Sequence, residues 1–359
     1  MTNKPSILLT GGAGYIGSHT FVALIEAGFT PVILDDFSNS KPPVVERLHR
    51  ITGQAVQCQQ GSVADAELVQ GLIHRHQIAA VIHFAGFKAV GESVAQPLKY
   101  FENNLGGMMA LLHAMQSTTC RTLVFSSSAT VYGDPASVPI TEDFPRSHTN
   151  SYGHTKLVCE DMLAAMRFAN PAWRTAVLRY FNPVGAHPSG LIGEDPSGPP
   201  NNLMPYVAQV AVGKRPVLNV YGNDYATSDG TGVRDYIHVQ DLAQAHVAAV
   251  QSLLQGADSF TVNVGTGQGH SVLEVVRAFE HASGKQVPYQ FAQRRAGDVA
   301  QCFADVTLAQ DLLGWRAKHT LADMCTDAWR WQINNPDGYV GTRMRALYSQ
   351  ISPNATSGR

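Results

Sequence analysis

The chain of 359 residues is 44% hydrophobic and 15% charged, with a formal net charge of −2 at pH 7. Its length allows a sizeable core, in one large domain or two intimate ones, while its composition excludes disorder and leaves no cationic excess to neutralise nucleic acid or anionic lipid. Cys58, Cys120, Cys159, Cys302 and Cys325 are scattered, odd in number and without C-x-x-C spacing, and the fourteen histidines lack metal-ligand spacing, so neither a disulfide framework nor a metal site is expected.

In chain order, Met1 to Pro5 leads into the apolar run Ile7 to Thr10 without a signal region, and no apolar run approaches the length of a membrane span; a cytosolic location is expected. The next stretch, Thr10 to Gly17, places glycines at 11, 14 and 17 and also satisfies G-x-G-x-x-G through Gly12, Gly14 and Gly17. Between a strand and a helix, such a turn brings the backbone close to a pyrophosphate and aims a helix N-terminus at it. The second run, Val32 to Asp35, ends in Asp35-Asp36. A carboxylate there, about 20 residues beyond the glycines, accepts from a ribose 2′-OH and repels a 2′-phosphate, which favours NAD over NADP.

Further runs at Ala55 to Gln59, Ala80 to Phe84, Thr122 to Ser126 and Thr175 to Arg179 alternate with helical patterns at Ser18 to Ala27, Asp65 to His76, Leu98 to Gln116 and Tyr152 to Phe168. This alternation predicts an α/β fold with a Rossmann-like, doubly wound parallel sheet over residues 1–180, its ligand crevice at the carboxyl ends of the strands. Residues just past those ends are the ones to inspect: Phe84, Ala85 and Lys88 after the fourth run, and Ser126-Ser127-Ser128 at the end of the fifth. Asn103-Asn104 sits inside a helical pattern that disfavours amides, and both a ligand contact and a buried hydrogen bond remain open for the pair. From Asn182 to Pro205 a Gly/Pro-rich segment breaks the alternation, and loops of that length usually serve function. Helices at Met204 to Val212, Val239 to Leu254 and Ser271 to Ala282, with strands at Val217 to Tyr221 and Phe260 to Val264, predict a smaller α/β C-terminal substrate lobe over 181–345, with some chain crossing back to the first domain. The polar tail, 346–359, is expected to be disordered.

Tyr152 and Lys156 are four apart, which on a helix puts phenol and ammonium on one face. The cation can then favour the phenolate of a group whose ordinary pKa is about 10, and Ser128 can hydrogen-bond the same substrate hydroxyl. With the glycine motif, these residues resemble the extended short-chain dehydrogenase/reductase family. His83 to Ser93, Phe125 to Gly133, Arg179 to Gly190, Pro200 to Tyr206 and Gly230 to Val239 sharpen the resemblance to its UDP-hexose 4-epimerases, over about residues 6 to 340.

The resemblance implies a retained NAD, Tyr152 as the base on the sugar 4-OH beside Lys156 and Ser128, and interconversion of UDP-galactose and UDP-glucose through a 4-ketose anchored by its UDP. It implies cofactor contacts from Gly11, Gly14, Tyr15, Ile16, Gly17, Asp35, Asp36, Asn39, Ser40, Ser62, Val63, Phe84, Ala85, Lys88, Asn103, Ser128, Tyr152, Lys156 and Phe181. UDP-sugar contacts are implied for Lys88, Ser128, Tyr152, Phe181, Asn182, Asn202, Leu203, Asn219, Val220, Tyr221, Arg234, Arg295, Asp298, Gln301 and Cys302. It further implies a homodimer through the helices of Leu98 to Gln116 and Tyr152 to Phe168.

Two departures from the family pattern matter. Ser62-Val63 follows Gly61 where relatives place an aspartate for the adenine amino group, and Ser62 is expected to keep one hydrogen bond. Cys302 stands where members restricted to plain hexoses have tyrosine, which implies room for an N-acetyl group and activity on UDP-GlcNAc and UDP-GalNAc as well. A nucleotide-sugar 4,6-dehydratase would need a carboxylate beside the sugar, and Ser128-Ala129-Thr130 offers none. A non-catalytic NAD sensor would have no use for Tyr152 and Lys156.

Overall fold

The computed structural model describes residues 4–339 except 199 and 296; the tail 346–359 lies outside the described residues. The strands are β1 (Ser6–Thr10), β2 (Thr30–Asp35), β3 (Gln57–Gln60), β4 (Ile78–His83), β5 (Thr122–Ser128), β6 (Arg174–Tyr180), β7 (Asn182–Val184), β8 (Leu218–Tyr221), β9 (Val233–His238), β10 (Phe260–Val264), β11 (Gly269–Ser271), β12 (Tyr289–Ala292) and β13 (Gln301–Cys302). The α-helices are α1 (Tyr15–Glu26), α2 (Pro43–Thr52), α3 (Ala66–His76), α4 (Val90–Ala95), α5 (Pro97–Tyr100), α6 (Gly106–Gln116), α7 (Ser151–Ala169), α8 (Leu203–Ala211), α9 (Val239–Leu254), α10 (Val272–Ser283), α11 (Thr307–Leu313) and α12 (Leu321–Asn334).

Seven parallel strands form the main sheet in the order β10-β6-β5-β4-β1-β2-β3. Its central strands are rich in apolar residues because both faces are covered, whereas the edge strand β3, Gln57–Gln60, is polar. Successive side chains alternate between two cores. Ile7 and Leu9 join Ile33, Ile82 and Val124 under α1, α2 and α9, while Leu8 joins Leu34, Val81 and Leu123 under α3, α6 and α7. The order reverses at β1, between β2 and β4, and a crevice opens there at the carboxyl ends. In the second lobe, β9 pairs with β7, β11 and β13, β8 pairs with β12, and α8, α10 and α12 enclose a third core.

Several elements differ from the sequence expectation. The helix expected over Leu98 to Gln116 is divided: α5 begins at Pro97, a π-turn follows at Phe101–Leu105, and α6 starts only at Gly106. Proline contributes no N–H to a continuing helix, and the extra residue of a π-turn re-aims side chains, here the asparagine pair. Helix α2 had no expectation, although Val44, Val45, Leu48 and Ile51 recur at helical spacing along it and pack on the first core. Finally, Val239 to Leu254 and Phe260 to Val264 serve the first domain, since α9 packs on α1 and β10 adds to the edge of the main sheet beside β6. Periodicity identifies an amphipathic element but not the core it joins.

Candidate active site

The glycine turn is built on close approach. A Cβ on Gly17 would lie 2.6 Å from the Gly11 oxygen and 2.7 Å from Gly12 Cα, and one on Gly11, at φ +70°, would meet the Ala85 nitrogen at 2.7 Å. All of these are backbone atoms, so nothing flexible can yield. The Phe84 and Ala85 amides both donate to the Thr10 oxygen, which locks the loop after β4 against the turn. Asp35, at the end of β2, accepts from the Ala13 amide at 2.9 Å, the Phe37 amide at 2.9 Å and the Ser40 hydroxyl at 2.7 Å; burial raises its pKa above the ordinary value. Asp36 accepts from the Ser38 amide. Tyr15 and Ile16 open α1, Asn39 lies in the exposed loop after β2, and Ser62 and Val63 follow β3, where the Ser62 hydroxyl accepts from the Ala64 amide at 3.1 Å. A helix N-terminus with no acidic residue in its first turn, next to a carboxylate at the following strand end, fits the pyrophosphate and ribose of NAD.

The reaction centre lies where β5 meets α7. Asn150 caps α7 by accepting from the Gly153 amide at 2.8 Å, which sets Tyr152 in the first turn and Lys156 one turn on. Ser128 faces the Tyr152 phenol and favours its ionised form, and burial nonetheless pushes the phenol up to about 12. Lys156 Nζ donates to the Ser126 oxygen at 2.7 Å and lies 5.9 Å from the Tyr152 ring centre; burial draws the ammonium down to about 8. The lysine thus lies beside the phenol, as its spacing on the helix expects. In the protein by itself, desolvation of the phenolate dominates, and Ser128 opposes it.

Behind this pair runs a buried network that the sequence did not suggest. Ser127 donates to Glu160 at 2.6 Å, and Arg179 grips both oxygens of that carboxylate, at 3.0 and 2.7 Å. Asn104 answers the question left open for the asparagines: it accepts from the Phe87 amide at 2.8 Å and donates to the Phe87 oxygen and to Thr155 at 3.0 Å, while Asn103 donates to it at 3.0 Å. The pair therefore clips the loop carrying Lys88 onto α7.

A cavity of about 220 Å³ opens in the second lobe. Asn182, Asn202, Leu203, Asn219, Val220, Tyr221, Arg234, Arg295 and Asp298 line it, as the sequence expectation requires. Arg234 lies 3.9 Å from Asp298, and Arg295 stacks 3.8 Å from the Tyr221 ring centre. Two guanidiniums facing one cavity suit a diphosphate. Tyr206, Tyr225 and Tyr236 also line it and were not among the expected site residues, although Tyr206 and Tyr236 lie in stretches that carry the resemblance. Cys302 is off that lining. It sits on β13 beside Arg234, in the apolar cluster that holds Phe181, Val131 and Tyr132, and burial pushes its thiol up to about 11, which keeps it unreactive. Gln301 precedes it, opposite Val233, and the Phe181 amide donates to the Val264 oxygen at 3.2 Å. Among the described residues no group of His, Cys, Asp or Glu could hold a metal ion, and no helix is long and apolar enough to cross a membrane.

The family model described as GDP-mannose 4,6 dehydratase matches residues 8–328. The UDP-glucose 4-epimerase of Bacillus subtilis is 57% identical over 334 residues, 93% of this chain and 98% of its own. Two solved structures are similar: the UDP-glucose 4-epimerase of Stenotrophomonas maltophila with bound NAD and formylated UDP-arabinopyranose (52% identity, TM-score 0.91, covering 92% and 99% of the two chains), and that of Bifidobacterium longum in complex with NAD+ and UDP (49%, TM-score 0.88, covering 93% and 99%). With Ala129 and Thr130 where a dehydratase needs carboxylates, and with these relatives matched over nearly their whole length, the chain belongs to the extended short-chain dehydrogenase/reductases and, within them, to the UDP-glucose 4-epimerase family.

Proposed function

We propose that this protein interconverts UDP-galactose and UDP-glucose with a retained NAD, and the observation that carries the reading is Tyr152, buried in the first turn of α7 with Lys156 beside it and Ser128 facing it from the carboxyl end of β5. NAD, when bound, supplies a reversible hydride acceptor for the sugar C4. Tyr152 takes the proton of the 4-OH and gives it back to the same oxygen once the turned 4-ketose has regained its hydride on the other face of C4, and Ser128 holds that oxygen in line. Lys156, fixed by the Ser126 oxygen, brings positive charge to the phenolate as it forms. Arg234 and Arg295 hold the diphosphate, with Asn202, Leu203, Asn219 and Tyr221 around the nucleoside, so that the sugar can turn while its anchor stays. Gly11, Gly14, Gly17, Tyr15, Asp35 and Phe84 to Lys88 hold the cofactor within a unit made of residues 1–180 and the returning segment 239–264. We place the enzyme in the cytoplasm.

The finer substrate range rests on Cys302. The thiol, in the cluster that holds Phe181, has less volume than the tyrosine of members restricted to plain hexoses, so UDP-GlcNAc and UDP-GalNAc are substrates as well. Purified protein incubated without added NAD should turn UDP-galactose into UDP-glucose and UDP-GalNAc into UDP-GlcNAc, resolved by chromatography. Cys302→Tyr should lower the second activity by about 100-fold and leave the first within about threefold. Parent protein that forms neither product, even with NAD supplied, refutes the epimerase reading; a Cys302→Tyr variant with full activity on UDP-GalNAc refutes the gate.

The protein is a homodimer through α4 to α7. Leu98 and Phe168, 71% and 93% exposed, with Val94 and Met109 on neighbouring helices, leave an apolar surface uncovered in the single chain. Sedimentation at micromolar concentration should show twice the 38.7 kDa of one chain; a single species of that mass would refute the dimer.

A further inference from the structure

Glu194 lies in the Gly/Pro-rich segment before α8 and has no part in the sites assigned above. Its side chain is only 12% exposed, and a single oxygen, Oε1, receives the Lys88 ammonium at 3.1 Å and the Asn202 amide at 2.7 Å. The residue is anchored independently of both, because its backbone oxygen accepts from the Trp331 indole at 3.1 Å. Lys88 comes from the loop after β4, which is locked to the glycine turn. Asn202 is the N-cap residue of α8 and lines the cavity of the second lobe. Close by, the Tyr15 hydroxyl at the start of α1 donates to the Gly185 oxygen at 2.7 Å, so the phosphate turn touches the second lobe at the same place.

As a stabilising device this arrangement is weak, since the Lys88 side chain is 45% exposed and such ion pairs contribute little to folding. As a means of fixing direction it is well built. One buried acceptor commits a flexible ammonium from the cofactor side and an amide from the nucleotide side to a common point, and occupancy of one site then alters the cost of ordering the other. We propose that Glu194 is a positioning residue that couples the NAD site to the UDP-sugar site through Lys88 and Asn202. The proposal rests on the assignment of those two residues to cofactor and UDP-sugar made above.

The test uses Glu194→Gln, which keeps the size and an acceptor for Asn202 but removes the charge that holds Lys88. NAD release from the holoenzyme is measured with and without UDP, together with KM and kcat for UDP-galactose. In the parent, UDP slows NAD release by about tenfold; in Glu194→Gln the effect falls below about twofold, KM rises by about fivefold and kcat stays within about twofold, while Tm is unchanged. Lys88→Met loses the same coupling, and the double variant loses no more than either alone, as two residues acting through one contact require. Parent protein whose NAD release is indifferent to UDP, Glu194→Gln with the parent's coupling, or independent losses that multiply in the double variant would each overturn the proposal. Failure of the parent to convert UDP-galactose would instead refute the epimerase reading, so the two failures are told apart.

Discussion

Replacing Tyr152 with Phe is expected to lower kcat for UDP-galactose by about 10³-fold, with KM within about threefold and NAD still retained. The ring packs in the same place and only the hydroxyl is lost, so binding and folding have no reason to change, whereas the proton of the 4-OH has nowhere to go. The pH profile separates this from a positioning effect. Burial holds the phenol above its ordinary value, so the active phenolate is the minority form near neutrality and parent activity rises with pH on its acid limb. The residual activity of Tyr152→Phe should not follow that limb. A variant with a normal profile or more than about a tenth of parent kcat would remove Tyr152 from the base role.

Glu160→Ala is expected to destabilise the protein by about 3–5 kcal/mol, the largest effect on folding foreseen here. Glu160 and Arg179 are both within a few percent of full burial, and the arginine spends two donors on this carboxylate. Removing one partner strands a charge that has no route to water. The effect should reach the site too, because Glu160 lies one turn beyond Lys156 on α7 and takes the hydroxyl of Ser127, the neighbour of Ser128. Chemical denaturation gives the measurement; a loss under about 1 kcal/mol would mean that Arg179 finds water or another acceptor. Glu160→Gln, which preserves the shape and one acceptor, should lose less than Glu160→Ala.

Much of the site is legible because its parts are local in sequence. The glycine turn is a property of consecutive residues whose Cβ atoms have no room, and Tyr152 and Lys156 share a helix face by spacing alone. The strand-end residues Phe84, Ala85 and Ser128 follow from the rule that a parallel sheet gathers its ligands at one edge. What escapes such reasoning depends on distance in the chain. Glu160 reads as an ordinary helix acid until Arg179, from the next strand, is brought against it. Asn104 reads as a poor helix former until the π-turn aims it at the Phe87 backbone.

The sequence by itself determined the parallel strands of residues 1–180 and most of the helices between them, the phosphate turn, the acid at the end of β2 and the tyrosine–lysine pair, because each depends on neighbours a few residues apart along the chain. Only the tertiary structure decided that α9 and β10 complete the first domain, that the Tyr152 phenol is buried, and that Glu194 meets both Lys88 and Asn202. Those outcomes depend on which surfaces are withdrawn from water together, and desolvation acts between groups that are remote in sequence.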